Sequence, residues 1–297
     1  MKKNVSITGN DTLNQILKNL EDGVKNVFTS ENYLRYLETF SRFHNYSFNN
    51  TILIMMANPS ASFCASYVDW NKKFNRHVNK GETGIKILVP APKKVEVERE
   101  VTSPDGTKTT EKVEKKIMYY KTGTVFDISQ TSGEPLPRLT KQLTYSSEEL
   151  DEVVEKIFKT SKVPVSYDDS LKGEFSANGY YRIDTNEIFL KPELSSLHKL
   201  KTLIHEYSHF QQETFFKDAF KTQDRKNTKE VIAESTAYCV LQMLKYEFNF
   251  PQLDSSDYSL SYVASWSSDK ELKELKSTLE LISKISLDIY SWIKDLF

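Results

Sequence analysis

The run His205-Glu206-Tyr207-Ser208-His209 sets two imidazoles four residues apart, with a carboxylate directly after the first. On a helix, residues i and i+4 share a face. His205 and His209 can then share one metal ion while Glu206 reaches a water bound to it. Zinc suits imidazole nitrogen and keeps an open position for water in a three-ligand site. The ion lowers the pKa of that water, and a neighbouring carboxylate takes its proton. The spacing therefore points to hydrolysis by metal-activated water. Leu200, Leu203 and Ile204 make the preceding turn apolar, which implies a buried helix. Buried His, Glu and His side chains need partners.

A third ligand has to come from a second helix, and the segment 228–247 offers Glu230 and Glu234, one turn apart. Glu230 follows Lys226, Asn227, Thr228 and Lys229 and fits a helix's first turn, where the macrodipole favours a carboxylate. Glu234 sits among Val231, Ile232, Ala233, Ala237, Cys239 and Val240. An ionised carboxylate there is costly unless paired or metal-bound. Glu234 is the expected ligand. Glu230 is the alternative, or a group that orients a histidine. His198, one turn before the motif, reads from position alone as a surface residue with a lesser claim to transition-state stabilisation. His44 and His77 have no spacing relation to the motif and are not expected to be ligands.

A second chemistry sits upstream. Between Asp69 and Lys94 there are seven basic residues: Lys72, Lys73, Arg76, Lys80, Lys86, Lys93 and Lys94. Only Asp69 and Glu82 oppose them, and Tyr67, Trp70 and Phe74 are interleaved. Cations tracking phosphates, with aromatic rings stacking on bases, is how sequence-tolerant single-strand binding works. Trp70, Lys72, Lys73, Arg76, Lys80 and Lys86 are the candidate DNA-binding residues. Read from the residues alone, a solvated basic face over a core that owns Trp70 and Phe74 explains the same pattern.

The elements that must carry these groups can be read from periodicity. Asp11 can cap a helix carrying Leu13, Ile16, Leu17, Leu20 and Val24, and Ser30 a second carrying Tyr33, Leu34, Leu37 and Phe40. A third runs from about Ser47 to Ala57 and ends at Asn58-Pro59. Ile85 to Val89 reads as a strand closed by Pro90 and Pro92. Residues 95–120 read as a long β-hairpin turning at Ser103-Pro104-Asp105-Gly106, and Val125 to Ile128 as another short strand. Thr131 to Leu143 is rich in Gly, Pro, Ser and Thr and is the candidate linker. Beyond it the pattern predicts a helix near 147–160, a hairpin over Tyr180–Leu190 turning at Asp184-Thr185-Asn186, and helices over about 195–215, 228–247 and 270–295.

The bulk numbers set limits. A chain of 297 residues suits one large domain or two ordinary ones. With 38% hydrophobic and 27% charged residues the balance is that of a folded chain. A formal net charge of -1 excludes a polyanion binder by bulk charge and leaves only the local basic stretch. The two cysteines, Cys64 and Cys239, form no framework and suggest a reducing compartment. The N-terminus has no apolar segment behind its lysines, and the longest apolar run, Ile52 to Ala57, is too short for a bilayer. A soluble cytoplasmic protein with no membrane partner is expected.

At family level the C-terminal half resembles the gluzincin-like peptidase domain of the ArdC family of antirestriction proteins. The residues that carry this are Thr202-Leu203-Ile204-His205-Glu206-Tyr207-Ser208-His209, Ala233-Glu234-Ser235-Thr236-Ala237-Tyr238 and Tyr262-Val263-Ala264-Ser265-Trp266. The N-terminal half resembles that family's single-stranded DNA-binding domain through Tyr46-Ser47-Phe48-Asn49-Asn50, Trp70, Lys80-Gly81-Glu82-Thr83-Gly84 and Val125-Phe126-Asp127-Ile128-Ser129-Gln130-Thr131. The resemblance spans about residues 30 to 270. It implies a protein of conjugative plasmids or integrative elements that binds the incoming single strand and protects the element from host restriction.

The expectation is an α+β protein of two domains. A helix-plus-β-hairpin domain over 1–135 binds single-stranded DNA, and a zincin-like metallopeptidase domain over 136–297 acts on an unknown protein substrate. Zinc is held by His205, His209 and Glu234, with Glu206 as general base. The strand Glu187 to Leu190 is expected to pair with extended substrate, and Tyr238 or Tyr262 to donate to the oxyanion. The competing expectation is a DNA-binding protection protein whose metal site is structural or vestigial.

Overall fold

The computed structural model describes residues 11–28, 30–102, 108–136, 147–172, 177–217, 225–248, 267 and 270–297. The expected turn at Ser103-Pro104-Asp105-Gly106, residues 137–143 of the expected linker, and Tyr262 lie outside them.

The apolar spacing of the first segment folds as expected into three helices. α1 (Asp11–Val27) buries Leu13, Ile16, Leu20 and Val24, and α2 (Ser30–Arg42) buries Tyr33, Tyr36, Leu37 and Phe40. α3 (Phe48–Ala57) opens under Ser47, whose side chain accepts from the Asn50 N–H. There follow β1 (Cys64–Ser66), α4 (Tyr67–Lys72), β2 (Arg76–Val78), β3 (Ile85–Thr102), β4 (Lys108–Asp127) and β5 (Thr131–Gly133).

Two expected short strands prove to be the ends of long ones. Ile85 to Val89 continues through Pro90 and Pro92 into β3, and Val125 is paired within β4. The sheet order β1-β4-β3 makes β3 an edge. Pro90 and Pro92 lie two residues apart, so their missing N–H groups face the same, unpaired side, and the ladder to Tyr120 and Met118 survives. Beyond the sheet the two strands project as a ribbon.

The C-terminal half begins with α5 (Ser147–Thr160) and β6 (Val165–Tyr167). β7 (Gly179–Arg182) and β8 (Glu187–Leu190) form the expected hairpin, with Asn186 left-handed at φ 57. β8 pairs in parallel with β6 and antiparallel with β7, so β8 is central and β7 is an edge. α6 (Ser196–Phe215) lies against β7 and β8. α7 (Arg225–Phe248) packs against α6, α2 and the last helix, α8 (Leu272–Ile293). Val231, Ile232, Ala233, Ala237, Cys239, Val240, Met243 and Leu244 are all sealed from solvent, which is what a helix enclosed on several sides requires.

The architecture is α+β. Its main core does not stop at residue 135: Val24, Tyr36 and Phe40 belong to the same apolar cluster as Ile157, Leu203, Val240 and Ile285. The seam between α2 and α7 also carries polar bonds. The Tyr33 hydroxyl meets Ser235 Oγ at 2.7 Å, and Ser41 Oγ donates to the Cys239 carbonyl at 3.3 Å. A smaller cluster, Phe43, Ile54, Cys64, Ile85, Ile87 and Val125, sits under the β1–β4–β3 sheet.

Candidate metal centre

α6 buries Leu200, Leu203, Ile204 and Tyr207 and turns His205 and His209 toward α7. Their Nε2 atoms lie 3.1 Å apart. Glu230, on the first turns of α7, sets one carboxylate oxygen 3.4 Å from His205 Nε2 and the other 3.5 Å from His209 Nε2. A tetrahedral ion with bonds of about 2.0–2.1 Å holds its ligand atoms about 3.3–3.4 Å apart. The separations lie near that spacing, with one Glu230 oxygen toward each histidine, and one ligand atom from each residue lies within 4.8 Å of the others, which is close enough to share an ion. Among the described residues this is the one cluster of three or more such side chains with the needed proximity.

The acidic partner on the metal-facing side is Glu230, not the preferred Glu234. Glu234 stands one turn further along α7 and meets the other nitrogen of His205, Oε1 to Nδ1 at 3.5 Å. Its Oε2 lies 3.8 Å from Lys201 Nζ. The reason is geometric. An apolar setting argued correctly that Glu234 needs a partner; His205 Nδ1 and Lys201 stand near it as charges, while its Oε2 is buried with no hydrogen-bond partner among the described residues.

Charge in the cluster is coupled. Burial works against a charged His205, but the Glu230 carboxylate, then the charges of Glu206 and Glu234, outweigh it and raise the imidazole above its ordinary pKa. The two imidazoles hold Glu230 far below the usual carboxylate range. Burial pushes Glu206 up, with the charges of His205 and His209 pulling back and Glu230 adding to the rise. A carboxylate raised in this way is a better proton acceptor near neutrality. Its carboxylate accepts from the backbone N–H of Tyr181, which ties it to β7.

An open cleft of about 410 Å³ runs past these groups. Gly179, Tyr180 and Tyr181 of β7 form one wall, and His205, Glu206 and Glu230 the other. β8 was expected to face substrate, but both its edges are already paired, so among the described residues the edge left unpaired at the cleft belongs to β7. Tyr238 is also displaced from its expected role. It is buried on α7 and lines neither cleft beside the histidines. His198 accepts or donates to Ser195 Oγ at 2.8 Å and lines a second cleft of about 280 Å³ with Lys201 and Glu234. The hairpin was expected, but not that its first strand walls the site; Gly179-Tyr180-Tyr181 carried no chemical signature of its own.

The basic stretch resolves differently from the reading that put Trp70 on DNA. Trp70 is fully buried, its Nε1–H donates to the Phe126 carbonyl at 2.9 Å, and no face is free to stack on a base. Arg76 is spent on Thr131, Gly133 and Glu134, where its guanidinium ties β2 to β5. Lys73 pairs with Asp69 at 2.7 Å, and Lys86 donates to Thr124 Oγ1 at 2.9 Å, both at the surface. Lys72 and Lys80 are exposed. The solvated basic face over an aromatic core thus describes Trp70 and Arg76.

Comparison with known proteins finds relatives of both sequence and structure. Residues 9–126 match the model of the N-terminal domain of anti-restriction factor ArdC. The chain is 27% identical over 278 residues, 84% of its length, to the uncharacterized protein pXO2-81 of Bacillus anthracis, and spans 45% of that relative. Its structure is similar to the metal-free crystal structure of antirestriction ArdC from the R388 plasmid, with 24% identity, TM-score 0.45, and 82% and 86% of the two chains covered. For the Mn(II)-bound structure of that protein the values are 20%, 0.44, 88% and 95%. Among the described residues no helix is long and apolar enough to cross a membrane.

Proposed function

We propose, from the premise that this chain belongs to the ArdC family through its N-terminal domain, that it is an antirestriction-type protein of a mobile element that binds single-stranded DNA and hydrolyses peptide bonds at a zinc site. The observation that carries the peptidase half is the spacing of His205 Nε2, His209 Nε2 and the Glu230 carboxylate around a point beside buried Glu206. His205, His209 and Glu230 would hold the ion, which when bound supplies a water of lowered pKa and a Lewis acid for the carbonyl.

The protein's own part follows from its residues. Glu206 takes the proton of the attacking water and passes it to the leaving amine. Glu234 holds the Nδ1 side of His205 and leaves Nε2 turned to Glu230 and His209. The free edge of β7 offers backbone groups to an extended peptide laid along the cleft, in the manner of strand addition. Lys72 and Lys80, both exposed, support the DNA half, since cations at the surface can track phosphates.

The test is metal analysis of untagged full-length protein loaded with zinc or manganese, together with cleavage of an unstructured protein substrate. One ion per chain is expected, lost in the His205→Ala, His209→Ala double variant, with cleavage by the wild type and none by Glu206→Gln. Metal retention without cleavage by the wild type would leave a metal-stabilised DNA-binding protein instead.

A further inference from the structure

A cleft of about 550 Å³ lies away from the histidines, between the end of α2, the strand β1 and α4. That volume is in the range of small-ligand clefts, about 300–1,000 Å³. Its walls include four aromatic rings, Phe43, Tyr46, Phe63 and Phe74. Phe63 is 37% exposed, so part of its ring stays open. Its ring is propped by Trp70 at 5.5 Å and by Phe74 at 5.2 Å, both edge-on. Trp70 therefore serves as the buried support of the ring that faces outward.

The backbone under that ring is fixed as well. Asp127 accepts from the Ser62 and Phe63 N–H groups at 2.8 and 3.0 Å, and Ile128 N–H donates to the Phe63 carbonyl at 2.8 Å. A rigid aromatic face costs little ordering on binding. The polar groups on the walls add direction. Arg42 spends Nη1 on the Ala61 carbonyl at 3.1 Å, yet its Nε–H is buried with no hydrogen-bond partner among the described residues. Lys73 stands on the same wall, and its pair with Asp69 is open to solvent, so it is weak enough to exchange for a phosphate. Ring faces and an exchangeable ammonium are what a heteroaromatic base with its phosphate requires.

We propose that this cleft takes one unpaired nucleobase of single-stranded DNA, stacked on Phe63, with an adjoining phosphate on Lys73. The assignment rests on the single-strand reading above and names where that strand is gripped. A duplex hides its base faces and cannot fill the cleft.

The test uses the full chain and a short fluorescent thymidine oligonucleotide. Phe63→Ala should weaken binding roughly 5- to 150-fold, the span of one base–aromatic stack. Phe63→Tyr should restore it, and Phe63→Leu should not. Lys73→Gln should lower the slope of log affinity against log salt by about one unit, and Phe63→Ala should leave that slope unchanged. Melting temperatures near that of the wild type confirm that the variants fold. An oligonucleotide carrying 5-iododeoxyuridine should crosslink within the peptides holding Tyr46, Phe63 or Phe74. Wild-type binding with unaltered affinity in both Phe63→Ala and Phe63→Leu, or crosslinks only elsewhere, overturns the cleft and leaves the single-strand reading standing. No binding to single strands by the wild type, or a preference for duplex, overturns both.

Discussion

Glu234 meets His205 from behind: its Oε1 lies 3.5 Å from Nδ1, while Nε2 of the same ring faces Glu230 at 3.4 Å. One imidazole is thus held between two carboxylates from successive turns of α7. A carboxylate on Nδ1 fixes the tautomer and leaves the Nε2 lone pair for a metal. Glu230→Ala should therefore cost the most metal affinity, and Glu234→Ala about 10- to 100-fold, as expected for a group that orients a ligand. Chelator competition gives the order. If Glu234→Ala proves the worse variant, the ligand role returns to Glu234.

Protons and metal compete for this cluster, which sets a pH dependence. In the metal-free protein burial disfavours charge on His205, but Glu230, Glu206 and Glu234 raise its pKa above 6.5 all the same. A raised pKa means that the charged ring stabilises the fold at low pH and that this contribution is lost as pH rises through the folded value. Glu206, raised chiefly by burial, acts in the same direction. Metal binding displaces these protons and strengthens as they leave. The gain in melting temperature on adding zinc to chelator-treated protein should be larger at about pH 8 than at about pH 6. An equal gain at both would mean that protonation of the cluster does not oppose the ion.

Much of the site was legible because helical spacing alone puts His205 and His209 together, and an apolar flank alone implies that α6 is buried. The choice between Glu230 and Glu234 was not legible. Both lie on nearly the same face of α7, and which of them meets Nε2 depends on how far α7 slides along α6. The α2 seam was hidden for a related reason. Periodicity shows that Tyr33, Tyr36 and Phe40 are buried without saying that α7 packs on α2 or that Tyr36 reaches Ser283 of α8. The break expected at Pro90 failed because proline is harmless on one side of an edge strand, and edge position is a tertiary fact.

Trp70 should behave as a core residue. It is enclosed, meets Phe63 edge-on and Phe74 at a tilt, and gives its N–H to Phe126. Trp70→Ala should cost about 3–5 kcal/mol of stability. Trp70→Phe should keep most of the packing, lose about 1 kcal/mol for the hydrogen bond, and still bind oligonucleotide. Chemical denaturation and fluorescence anisotropy of the full chain separate the two effects. A Trp70→Phe variant of wild-type stability that no longer binds DNA would restore Trp70 as a contact.

Gly179 is where β7 comes closest to α6. A Cβ there would lie 2.7 Å from Thr202 Cγ2, 2.8 Å from the Phe189 carbonyl oxygen and 3.0 Å from Leu190 Cδ2. The carbonyl belongs to the ladder partner β8 and cannot step aside cheaply, so Gly179→Ala must push β7 outward. Overpacking of this kind costs about 1–3 kcal/mol. The movement would also draw the Tyr181 N–H away from Glu206, the one backbone donor that holds that carboxylate in the cleft. His205, His209 and Glu230 come from α6 and α7 and need not move with it. Gly179→Ala should therefore lower the melting temperature and depress cleavage while keeping the metal. Adding Thr202→Ser removes the methyl at 2.7 Å and leaves the carbonyl clash, so the double variant should recover only part of the loss. Loss of metal together with activity in Gly179→Ala would show instead that β7 supports the ligands themselves.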